Sequence, residues 1–148
     1  KWAKRFYVQF RARRGPGSVT GHMHVRTVAV LPGGRRRITS LFGLYAAGGP
    51  AEYVASLVGT PGVVGHHRLD LTQPPTALFQ IAISGRQHRQ ILAAARRYLR
   101  TELWFELFGR NCNYLAGRVA RLLNLRVPAD TAQYPEDYVA ALRALNVR

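Results

Sequence analysis

The sequence predicts an α+β domain in which a small antiparallel sheet packs against helices. Two patterns and the break between them carry this prediction. Apolar and polar residues alternate with a period of two near the start, apolar residues recur at helical spacing from Arg86 onward, and a stretch rich in Gly and Pro separates the two. With 148 residues, 47% of them hydrophobic, the chain can bury about two-thirds of its unfolded surface around one core. Residues 1–148 are therefore expected to form a single domain.

The first strand is expected over residues 4–13, where Phe6, Val8 and Phe10 alternate with Tyr7, Gln9 and Arg11, giving one buried face. A turn follows at Gly15-Pro16-Gly17. A second strand, 22–31, runs into Pro32-Gly33-Gly34, and a third covers 37–45, so the Pro-Gly-Gly segment reads as a hairpin loop. Residues 46–75 show no sustained period and are expected to be an irregular excursion, with at most a short helical turn over 51–58. Residues 76–84 form a continuous apolar strand. From 86 to 100, Ile91, Leu92, Ala95 and Leu99 recur at helical spacing with arginines opposite. Asn111 can cap a helix over 112–124 with a stripe of Leu115, Val119, Leu122 and Leu123. A last helix opens at Pro135, with Glu136 and Asp137 where the helix dipole favours acids, and buries Tyr138, Val139, Leu142 and Leu145.

The 22 Lys and Arg against 7 Asp and Glu give a formal charge of +15, nearly all from arginine. Such a surface attracts nucleic acid, anionic lipid or acidic cell-wall polymer. Nucleic acid is the less favoured partner, because Phe6, Phe10, Phe79 and Tyr138 fall on faces expected to be buried rather than on an exposed stacking surface. The longest apolar runs, such as residues 77–83, stay far below the roughly 18 residues of a membrane-spanning helix. The chain begins at Lys1 without the apolar core of a signal peptide and reads as a mature fragment or an excised domain, with a secreted or periplasm-delivered location favoured. One cysteine excludes an internal disulfide and any zinc site needing two thiolates.

That cysteine, Cys112, falls in the first turn of its helix. There the dipole and unpaired N–H groups favour thiolate over thiol, and the same N–H groups can hold an oxyanion, as acyl transfer requires. A lone Cys is more commonly a small core residue. The polar frame Arg110-Asn111-Cys112-Asn113 argues for exposure. A base is expected on a neighbouring strand, and Gly21-His22-Met23-His24 supplies two histidines that share one strand face. His66, His67 and His88 are better assigned to solvated or structural positions. His22 and His24 could instead present two imidazoles to one ion, with Asp70 or His67 completing the set, but no metal and no cofactor are expected because spacing does not assign the remaining ligands. For a third group that holds the base, Thr39, Ser40, Asp70 and Glu106 all stay open.

A histidine in Gly-His-x-x-Val on an early strand, a hairpin, and a Cys in Asn-Cys-Asn-Tyr-Leu-Ala at a helix start together resemble the circularly permuted NlpC-like, papain-fold cysteine hydrolases. That superfamily also includes the lecithin:retinol acyltransferase-like proteins. The segments Gly21-His22-Met23-His24-Val25, Leu41-Phe42-Gly43-Leu44-Tyr45, Phe105-Glu106-Leu107-Phe108-Gly109-Arg110-Asn111-Cys112 and Pro135-Glu136-Asp137-Tyr138 look like successive blocks of its bacterial members. The resemblance implies a papain-like fold, Cys112 as nucleophile, and His22 rather than His24 as general base. It also implies cleavage of a peptide or amide bond, often in peptidoglycan, or transfer of acyl groups between lipids. A cysteine amidase or peptidase is therefore expected, acting through a Cys-His dyad on a bacterial cell-wall peptide or amide bond, with an anionic polymer or a peptide or amide substrate such as peptidoglycan as its partner. A thiol acyltransferase or lipid hydrolase on the same scaffold, its acyl chain lined by Tyr53, Val54, Leu57 and Val58, and a non-catalytic polyanion-binding module are the alternatives.

Overall fold

Alternation of Val8, Phe10 and Ala12 with Gln9, Arg11 and Arg13 gives β1 (Arg5–Arg13) two chemically different faces, and the rest of the domain is arranged about them. The computed structural model describes residues 5–14, 21–46, 59–100, 103–105, 109 and 111–147. The expected turn at 15–17 and helical turn over 51–58 lie outside the described residues, as do Arg110 and Glu106.

β1 pairs antiparallel with β2 (His22–Val30), and β2 with β3 (Arg36–Ala46). The β2–β3 hairpin closes through a Leu31 N–H to Arg35 carbonyl bond of 2.8 Å, with Gly33 and Gly34 at φ of 85° and 83° where side chains are disfavoured. Thr27 faces Ser40 but Val28 faces Ile38, so Thr39 is an extra residue that bulges β3. Beyond Phe42, β3 leaves β2 and pairs with β4 (Thr60–Gly65), which in turn pairs with β6 (Leu103–Phe105). On the other edge β1 pairs with β5 (Ala77–Ile83). The described strands form one antiparallel sheet in the order β5-β1-β2-β3-β4-β6.

Four helices complete the described elements: α1 (Arg68–Thr72), α2 (Gly85–Arg100), α3 (Cys112–Leu122) and α4 (Pro135–Asn146). The α+β class and the antiparallel sheet are as the sequence predicts. Two elements inside the expected excursion, β4 and α1, and the short β6 are additions. Ser84 starts α2 with a reciprocal cap, its hydroxyl accepting from the Gln87 N–H and the Gln87 side chain accepting from the Ser84 N–H. α3 stops at Leu122 rather than 124, because Asn124 adopts φ 57° and the Leu125 N–H returns to the Ala120 carbonyl.

The apolar faces of β1, β2, β3 and β5 (Val8, Phe10, Met23, Val25, Phe42, Leu44 and Phe79) form one core with Ile91 of α2, Leu115 and Val119 of α3, and Tyr138, Val139 and Leu142 of α4. Each such side chain, fully buried, contributes about 1.5–3 kcal/mol of transfer free energy. Three residues of the expected apolar stripes lie outside it: Leu99, Leu122 and Leu145 are exposed, and Tyr98, Val119 and Leu142 take inward positions of their helices. The opposite sheet face is not solvated as the alternation in β1 suggested. Gln9, Arg11 and Arg13 are buried together with His22 and His24.

Candidate active site

Cross-strand register builds this polar layer. Arg13 faces His22, Arg11 faces His24 and Gln9 faces Arg26, so a period-two run of polar residues on β1 meets one on β2. α1 supplies the acid. His67 caps that helix by accepting the Leu69 N–H on Nδ1, and the Asp70 side chain reaches back to the His67 N–H at 3.0 Å. Asp70 is fully buried. Its Oδ1 accepts from Arg13 Nε at 2.7 Å, and its Oδ2 accepts from the Tyr45 hydroxyl.

Both candidate bases gather around this carboxylate. His24 Nδ1 lies 3.6 Å from Asp70 Oδ1 and His22 Nε2 lies 3.9 Å from Oδ2. The His22 ring stacks on Tyr45 with centroids 4.0 Å apart and lies against Gly43, where a Cβ would sit 2.8 Å from Nε2. Glycine at position 43 is what makes room for the ring. Burial pushes His22 down to about 3 and His24 to about 4, against the pull of Asp70, so both imidazoles are neutral at pH 7. Burial alone would raise Asp70, but His22 and the hydrogen bonds from Tyr45, Arg13 and the His67 backbone hold it down to about 2.

Cys112 opens α3, with Asn111 as N-cap accepting the Tyr114 N–H. Its sulfur belongs to the core cluster, on the side of the sheet that Met23 faces. The polar frame does not expose it. Asn111 donates to the Thr131 carbonyl at 2.7 Å and Asn113 donates to the carbonyls of Thr131 and Gln133, so both asparagines are buried fasteners of the segment before α4. Burial pushes the thiol up to about 11. Hydrogen bonds from the backbone of Met23, Asn113 and Cys112 itself work the other way without prevailing. The helix-terminal stabilisation expected from sequence is present and outweighed.

Cys112 and the two histidines thus occupy neighbouring but separate settings, joined through β2: the backbone of Met23, between His22 and His24, meets the sulfur. Among the described residues no hydrogen bond links Cys112 to either ring. Of the three candidates for a third group among the described residues, Asp70 is the one brought to the histidines. Thr39 and Ser40 instead bond Thr27, and Thr39 bonds His88, which stacks on Phe6. His66 and His67 are exposed. Sequence reasoning missed Arg13 and Tyr45. The signal for Arg13 was its two-residue spacing from Arg11, matching that of His22 and His24, once the strands are set side by side.

Fold and site define a class, an α+β domain with a helix-opening cysteine and a buried histidine–carboxylate cluster on one antiparallel sheet. Compared with known proteins, the chain matches no family model, no curated protein and no solved structure.

Proposed function

We propose that this chain is a cysteine amidase or peptidase of papain-like, permuted NlpC type, acting on a peptide or amide bond of bacterial cell wall. The observation that supports this reading most is the setting of Cys112: a sulfur at a helix start, met by backbone groups of Asn113, of Cys112 itself and of Met23, the residue that follows His22. In the reaction His22 takes the thiol proton as the sulfur attacks the carbonyl carbon, and backbone N–H groups stabilise the oxyanion. The C–N bond breaks, the amine leaves with the proton from His22, and water hydrolyses the thioester to regenerate the thiol. Asp70, 3.9 Å from His22 Nε2, favours the imidazolium that forms and does not touch substrate. The buried thiol rests protonated and is not hydrogen-bonded to His22, whose ring stacks on Tyr45, so the reaction requires the two groups to be brought together as substrate binds.

Release of new amines from cell-wall peptide fragments tests the reading. Cys112→Ala should reduce hydrolysis to background, and His22→Ala should lower kcat by about 100-fold or more while His24→Ala does less. Hydrolysis that persists in folded Cys112→Ala overturns it.

A further inference from the structure

Two neutral imidazoles and one carboxylate, buried together with hydrogen-bonding capacity unused, make an arrangement that needs a partner. His24 is 1% exposed, and neither of its ring nitrogens has a hydrogen-bond partner; His22 Nε2 has none either. Leaving such groups unpaired costs about 1–3 kcal/mol each. One ligand atom from each of His22, His24 and Asp70 lies within 4.8 Å of the others. We propose that these three residues form a binding site for a divalent transition-metal ion of the zinc or cobalt kind.

The donor set suits such an ion, since imidazole and carboxylate are its ordinary ligands. Spacing suits it as well. Ligands about 2.0–2.1 Å from a tetrahedral ion stand about 3.4 Å apart, near the 3.6 Å between His24 Nδ1 and Asp70 Oδ1, and the His22 ligand atom lies within 4.8 Å of both others. The carboxylate is also supported from behind. Arg13 Nε takes one lone pair of Oδ1 and leaves the other free, while the Tyr45 hydroxyl and the His67 N–H fix Oδ2. Three protein ligands leave a fourth position open for water. The site shares His22 and Asp70 with the hydrolase chemistry proposed for Cys112, and a bound ion would take His22 out of service as a base.

The test titrates the chelator-stripped full chain with Zn2+ by calorimetry and with Co2+ by visible absorption. One ion per chain is expected. His24→Ala and Asp70→Asn should weaken binding by at least about tenfold, as should Tyr45→Phe through the carboxylate it orients, whereas Cys112→Ala should bind as the parent does, without a thiolate charge-transfer band in either. Should the His24 or Asp70 variants not fold, imidazole nitrogen resonances of the parent decide. One equivalent of Zn2+ should shift those of His22 and His24 and leave His88 in place. A parent chain that takes up no ion, a folded His24→Ala that binds equally well, or shifts confined to the exposed His66 and His67 would each overturn the site.

Discussion

At the scale of single residues, burial dominates the chemistry of this protein. Cys112 has the helix start and backbone donors that favour a thiolate, yet enclosure in the core pushes its thiol up to about 11. The same enclosure, acting on a base, pushes His22 and His24 down. Stability must follow. In the unfolded chain the histidines titrate near 6.5, and in the folded chain near 3 and 4, so the folded state binds fewer protons between those limits. Their contribution is complete above pH 6.5 and is lost as pH falls toward 4 and then 3. Asp70, lowered from 3.8 to about 2, adds its own loss as pH falls between those values. Urea unfolding of the chelator-treated protein from pH 7 to 4 should show stability falling by up to about 1.4 kcal/mol per pH unit for each histidine. His24→Gln should remove about half of that slope, and a pH-independent midpoint would show that the rings are not buried neutral.

At the scale of elements, the contact between α3 and α4 is closer than helix propensity would choose. Gly117 lies in the middle of α3, where Ala would ordinarily stabilise by roughly 0.5–1 kcal/mol. Here a Cβ would come within 2.6 Å of the Tyr138 hydroxyl oxygen and 3.1 Å of Val127. That hydroxyl is buried and has no hydrogen-bond partner. Gly117→Ala should therefore destabilise by about 1–3 kcal/mol through overpacking, while Tyr138→Phe removes both the obstruction and an unsatisfied group. In a double-mutant cycle followed by thermal unfolding, Gly117→Ala should cost less in the Tyr138→Phe background, and strict additivity would contradict the contact. The elements hidden from the sequence have equally local causes. β4 contains Pro61, which cannot donate to a ladder, and Gly62, so its residues carry no strand pattern; it is a strand because β3 continues past the Thr39 bulge and offers it an edge.

At the scale of the whole molecule, +15 of formal charge has to be distributed around one core. Arg35, Arg36 and Arg37 stand exposed on the hairpin, and α2 exposes Arg86, Arg89, Arg96 and Arg100. Arg37 and Arg89 both press on His88, which places hairpin and helix in one basic patch. Binding to an anionic polysaccharide, measured by fluorescence anisotropy, should weaken by about tenfold or more between 50 and 200 mM salt, and Arg35→Ala with Arg36→Ala and Arg37→Ala should flatten that dependence. A salt-insensitive affinity would place binding elsewhere. Among the described helices none is long and apolar enough to cross a membrane. Local pattern was enough for the α+β class, the hairpin of β2 and β3, the strands and helices with strong periodicity and the placement of Cys112 at a helix start, because these depend on residues within one turn, one strand or one short loop. It also placed His22 and His24 on one face. Tertiary structure alone decided that Asp70, rather than Thr39 or Ser40, meets those histidines, that Arg13 and Tyr45 hold it, and that Asn111 and Asn113 serve as fasteners rather than as a wet frame for the sulfur. Those outcomes depend on cross-strand register and on the docking of α1, and such long-range pairings are set by contacts between residues 57 positions apart, as Arg13 and Asp70 are, which no local pattern encodes.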